Sequence, residues 1–117
     1  MSTPVDPDFR ARLSALNDKF AATVPATMEK IRLALADCVA GGAAPSAAAL
    51  HRLHEALHGV AGSAGTFGFA TLGAECRRIE QTVRTVIAGG EGWPNVAPEV
   101  EKLLHWASID PRSSEYQ

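Results

Sequence analysis

Most of the signatures that mark an enzyme are missing from this sequence. Its 117 residues include two cysteines, Cys38 and Cys76. They are too few and too far apart for a disulfide scaffold or a four-thiolate zinc site, and both fit apolar stripes, where a free thiol acts as a small hydrophobe. Charge of one sign is not in excess: the net charge is −2, which gives no electrostatic basis for binding nucleic acid or an anionic membrane. No apolar run approaches the roughly 18 residues of a membrane span. The opening MSTPVDPDF also lacks the basic and apolar regions of a signal peptide, so a cytoplasmic location is expected. There is no P-loop and no clustered carboxylate site. No stretch shows the sustained period-two alternation of β-branched residues that builds a sheet. The length suits one modest hydrophobic core and not two, which argues against a multi-step enzyme.

What is present is helical. Apolar residues at 46% and charged residues at 21% are ordinary for a folded domain. Pro7 after Asp6 is a helix-start signal, and Phe9, Leu13, Leu16 and Phe20 predict an amphipathic helix over about 7–24. Pro25 opens a second segment, breaking or only kinking the first, in which Met28, Ile31, Leu35 and Cys38 carry the stripe to Gly41 and Gly42. Ser46 suits the N-cap of a third helix lined by Leu50, Leu53, Leu57, Val60 and Ala64. Gly65, Thr66 and Gly68 then make a tight connection to a fourth helix bearing Phe69, Leu72, Cys76, Ile79 and Val83, which stops at Gly89 and Gly90. Residues 90–95 read as loop, and Pro98 suits the first turn of a last helix with Val100, Leu103, Leu104 and Ala107. Trp93, Trp106 and His105 read as structural.

The expected fold is therefore all-α. Short loops imply an antiparallel four-helix bundle made by the second to fifth segments, with the first helix as an additional N-terminal element. The expected organisation is a flexible N-terminus over 1–6, one helical domain over 7–109 and a flexible tail over 110–117, as a monomer.

Chemistry concentrates between Leu53 and Glu80, where two readings compete. His54, Glu55 and His58 spell HExxH, which on a helix sets two imidazoles at zinc-protease spacing, with Glu80 as a distant third ligand. The longer metzincin form is excluded, because Ala61 and Ala64 stand where it needs Gly and His. Nothing supplies an edge strand for a peptide substrate, and no metal is expected. The second reading starts from glycine. Gly59 and Gly62 lie inside a helix, where each costs about 1 kcal/mol relative to Ala. Together with Ala61 and Gly65 they clear space around His58 for another protein. Alternatively, Gly62 only lets two helices cross closely.

The run HGVAGSAGTFGF from His58 to Phe69, followed by Leu72, Cys76 and the Ile79-Glu80 pair, resembles the histidine-containing phosphotransfer (HPt) domain of two-component signalling. Its GSAGTFGF stretch is also similar to the phosphotransfer domain of chemotaxis histidine kinases. The resemblance implies that His58 accepts the phosphoryl group, that Gly62 makes room for a docking receiver domain, and that Glu80 bonds the other ring nitrogen and orients the imidazole. A hairpin folded about residues 66–67 would instead set Glu75 opposite His58. The docking face would comprise Gly59, Ala61, Gly62 and Gly65, with His54, Arg77 and Arg78 beside it. The family commonly has Lys three residues after the histidine, where this chain has Ala61, and Arg77 or Arg78 is the candidate replacement. The implied function is phosphorelay to or from receiver-domain aspartates, with a response regulator or hybrid histidine kinase as partner. The implied chain has no ATP chemistry and no cofactor of its own, its Mg²⁺ being held by the receiver. Two alternatives remain: a receiver-binding module that carries no phosphate, and a zinc metallohydrolase.

Overall fold

Apolar residues at three- and four-residue spacing wind into four α-helices in the computed structural model, which describes residues 7–42 and 44–117. The expectation of a flexible segment at residues 1–6 lies outside them. The helices are α1 (Pro7–Ala40), α2 (Ala47–Ser63), α3 (Ala70–Ile87) and α4 (Trp93–Ile109), with a short 3₁₀ turn at Ala64–Phe67. No strand occurs among the described residues. α2 packs most extensively on α3, α3 on α4, and α1 on both α2 and α4. Each helix thus contacts its two neighbours around a ring, the arrangement of an up-down bundle.

The two segments expected on either side of Pro25 are one helix, so the additional N-terminal element is the first half of α1. A proline inside a helix removes one backbone donor and usually kinks or breaks the helix. Here Pro25 is exposed, and packing around it holds the helix together: Val24 is buried, and Ile31, Leu35 and Cys38 continue the same buried line. Thr23 and Thr27 also turn their hydroxyls onto the helix, donating to the carbonyls of Phe20 and Thr23 at 2.7 and 3.0 Å. At 34 residues α1 is about 51 Å long, twice the length of its neighbours. The molecule is accordingly 57 Å long and 26 Å across. Phe9, Leu13 and Leu16 are exposed on the overhanging half, and Phe20 is the first of their stripe to find partners, the rings of Phe67 and Phe69.

Beyond Phe20 the core follows the stripes read from the sequence. Leu53, Leu57, Leu72, Val100 and Leu103 are fully buried, as are both cysteines. Burial pushes the Cys76 thiol up to about 12, leaving it an inert hydrophobe. Ser46 caps α2 by accepting from the Ala49 amide at 3.1 Å. The last helix begins a turn earlier than Pro98 suggests: Trp93, Pro94 and Asn95 are already helical, because Pro94 is itself a first-turn residue behind Gly92. Residues 110–117 have no helix of their own and lie along α4. The Trp106 indole donates to the Glu115 carbonyl at 2.6 Å, and the Tyr116 ring packs edge-on to Trp106. Trp93 and Trp106 pack against the core, and His105 is exposed.

The hairpin of α2 and α3 positions everything that follows. Gly68, at φ +88°, ends the 3₁₀ turn in the left-handed region that suits glycine. Across the hairpin His58 meets Glu80, Ala61 meets Arg77 and Gly65 meets Gly73, pairs symmetric about Phe69. Gly73 makes the close approach possible: a Cβ there would lie 3.3 Å from the Gly65 amide nitrogen and 3.4 Å from the Ala64 Cβ.

Candidate functional site

On α2, Leu50, Leu53, Leu57 and Val60 face the core, which turns His54, His58 and Gly62 to the adjoining side along α3. His58 is two-thirds exposed. Its Nδ1 lies 3.0 Å from Oε1 of Glu80, whose side chain is almost wholly buried. The same oxygen accepts from the Arg84 guanidinium at 2.9 Å. His54 stacks on His58, with centroids 5.8 Å apart and planes within 12°. Its buried Nε2 is 3.2 Å from Glu80 Oε1, outside hydrogen-bond geometry.

Burial alone would raise the Glu80 carboxyl. The hydrogen bond from His58 and the charges of His58, His54 and Arg84 outweigh it and hold the group below the ordinary carboxylate value. Glu80 is therefore an ionised acceptor. An acceptor at Nδ1 requires that nitrogen to carry the ring proton, which leaves the Nε2 lone pair of neutral His58 free at the surface.

Beside His58 lies a depression of about 180 Å³, floored by Ala61 and Gly62 and edged by Arg77, Gln81 and Arg84. Ala61 is itself buried, and Arg77 donates to its carbonyl at 3.2 Å. The depression shares Ala61, Arg77 and Gln81 with a neighbouring groove of about 410 Å³ that also meets Gly65, Gly73 and Arg78. A Cβ at Gly59, Gly62 or Gly65 would meet nothing within 4 Å, so packing within this chain does not require glycine at these positions. The close-packing reading of Gly62 fails, and the glycine that serves it is Gly73.

The structure divides the sequence candidates. His58, Glu80, His54, Ala61, Gly62 and Arg77 come together, and Gly59 and Gly65 lie on the same exposed side. Arg78 is held away from His58: it bonds Glu75 on its own helix at 2.9 Å and Glu99 of α4 at 2.7 Å, and it reaches only the groove over Gly65 and Gly73. Glu75 is thereby engaged away from His58. The count about residues 66–67 misplaced it because the 3₁₀ turn lengthens the connection and moves the fold point to Phe69. Arg84 and Gln81 were missed; the i,i+4 spacing of Glu80 and Arg84 was the available signal. For the HExxH reading, Glu55 is exposed, and no three His, Cys, Asp or Glu side chains among the described residues are arranged to hold a metal ion.

The Hpt domain family model matches residues 15–106. The chain belongs to the Hpt domain family. No curated protein and no solved structure matches it. Hpt domains act in histidine phosphotransfer within phosphorelays, as phosphocarriers rather than enzymes, and interact with receiver domains and histidine kinases. The matched range holds the whole α2–α3 hairpin and, among the described residues, leaves the first turns of α1, the end of α4 and the tail outside. No helix among the described residues is long and apolar enough to cross a membrane.

Proposed function

We propose that this Hpt domain relays a phosphoryl group through His58 Nε2, between the aspartates of receiver domains or from a hybrid histidine kinase. The observation that carries the reading is the 3.0 Å contact from His58 Nδ1 to the buried Glu80 carboxylate on an otherwise exposed imidazole. In the transfer, the Nε2 lone pair attacks phosphorus while the bond to the donor aspartate oxygen breaks, and that oxygen leaves as carboxylate with the bonding pair. The ring keeps its Nδ1 proton and gains positive charge, which the Glu80 carboxylate stabilises as the buried carboxylate of a catalytic triad stabilises imidazolium. Reversal of these steps delivers the group to the next receiver.

The Mg²⁺ and the acidic pocket belong to the receiver, and the chain acts as a cytoplasmic monomer without kinase activity. The receiver docks over Gly59, Gly62 and Gly65, where the absence of side chains lets its pocket close on His58. Arg77 and Arg84 take the place of the cation missing at Ala61. This offsets the unfavourable pole of the α2 dipole, which lies within two turns of the phosphoryl site.

A second reading, a module that docks receivers without carrying phosphate, is favoured by Ala61 alone. Incubation with a radiolabelled phosphorylated receiver decides between them. An acid-labile label lost in His58→Gln and kept on changing His51, another exposed histidine of α2, to Gln is expected. A docked but unlabelled protein would establish the second reading, and label surviving in His58→Gln would sink the first. In the same assay Arg77→Ala should slow transfer about fivefold, the equivalent of about 1 kcal/mol, and Arg78→Ala should leave it unchanged.

A further inference from the structure

His54 neighbours the docking face, and its surroundings are those of a placed group. Its side chain is about one-fifth exposed, and its Nε2 is closed off from solvent without a hydrogen-bond partner. An unpaired polar atom in such a place is costly unless something nearby compensates it. What faces it is Glu80 Oε1 at 3.2 Å, an oxygen already accepting from His58 and Arg84. A carboxylate oxygen has two in-plane lone pairs, and both are taken, which explains why the third contact lies out of line. A lone pair on Nε2 would be repelled by that charge. The nitrogen therefore carries a hydrogen, whose positive charge faces the oxygen across 3.2 Å without hydrogen-bond alignment.

This contact opposes a specific failure. Arg84 is two-thirds exposed and sits one turn along from Glu80 on α3, so its attraction alone would draw the carboxylate outward toward solvent. His54 approaches from α2, on the same side as His58, and its ring lies nearly parallel to the His58 ring. We infer that His54 is a positioning residue for phosphotransfer: its Nε2–H holds Glu80 against α2 and its ring walls the His58 imidazole, keeping the Nδ1–H tautomer and a free Nε2. This rests on His58 as the phosphorylated residue.

The test uses the whole chain and two readouts, the rate of transfer from a phosphorylated receiver and the His58 ring nitrogen shifts from long-range ¹H–¹⁵N correlation. The variants are His54→Phe, which keeps a ring but removes the N–H, His54→Gln, which restores an amide donor, Glu80→Gln, and the pair His54→Phe with Glu80→Gln. His54→Phe should move the His58 shifts toward those of a free, tautomer-averaged histidine and slow transfer about tenfold. His54→Gln should recover part of both. In the Glu80→Gln background, His54→Phe should add nothing, because its effect passes through the carboxylate. Wild-type shifts and rate in His54→Phe would overturn the inference, as would losses that multiply in the double variant. His58→Gln in the same series tests the underlying reading separately, since label surviving there removes His58 whatever His54 does.

Discussion

At the residue scale the site is one carboxylate that accepts from His58 and Arg84 and faces the His54 ring. Glu80 sits in the core at a position otherwise reserved for apolar side chains, and what makes that tolerable is the set of His58, Arg84 and His54 around it. The sign of its pH dependence follows. The folded carboxyl lies below its ordinary value of 4.5, so the contribution is fully present above that value and is lost as pH falls through the lower, folded one. Urea unfolding in a pH series running down through 4.5 should show wild type losing stability on acidification more steeply than Glu80→Gln. Parallel curves would mean that the carboxylate carries no linkage. The same variant, whose amide oxygen still accepts from Nδ1–H without the charge, should transfer phosphoryl at least tenfold more slowly, in the range seen when a buried partner of a working imidazole is changed. Only part of this network was legible: His58 and Glu80 could be picked out by motif and the i,i+4 spacing pairs Arg84 with Glu80, but nothing in the local pattern sets His54 beside the same oxygen.

At the element scale the α2–α3 hairpin contains two kinds of glycine that look alike in the sequence. Gly59 and Gly62 face open space, and Gly73 faces the Gly65 backbone. Gly59→Ala should therefore raise stability by about 0.5–1 kcal/mol, the ordinary gain for a helix interior. Gly73→Ala should lower it, since the neighbouring backbone must give way. Thermal melts of the two variants should shift in opposite directions, and a shift of the same sign would show the hairpin packing to be misjudged. Gly62→Leu should leave the melt near wild type and weaken receiver engagement in a binding titration, because its side chain fills the approach to His58. The inward faces of the helices and the Ser46 cap were readable from local sequence alone. The hairpin register was not, because a single 3₁₀ turn shifts every pairing across it.

At the scale of the whole molecule the bundle occupies only part of α1. Packing begins at Phe20, and the first turns overhang with Phe9, Leu13 and Leu16 exposed. Changing these three to Ser should move the thermal midpoint little, since exposed substitutions away from caps and networks are usually within 0.5 kcal/mol each. Leu57→Ala, one residue before His58 and fully buried, should cost about 2–5 kcal/mol. Scanning calorimetry of the two proteins separates these outcomes. A large loss in the triple variant would show that the overhang is packed in solution. The N-terminal stripe predicted a separate helix because Pro25 follows it; in the structure, burial of the α1 stripe beyond Val24 outweighs one missing backbone donor.

The sequence by itself determined the helical class, the core stripes, the Ser46 cap and the small-residue face around His58. Each is written within a turn or two of chain, where periodicity and capping act directly. Tertiary structure alone decided the continuity of α1, the choice of Glu80 over Glu75, the departure of Arg78 to α4 and the convergence of His54 and Arg84 on one oxygen. These depend on the angle and register at which helices meet, set by the turn at Ala64–Phe67 and the close contact at Gly73. Residues distant in the chain share an atom there only because the backbone between them has one particular shape.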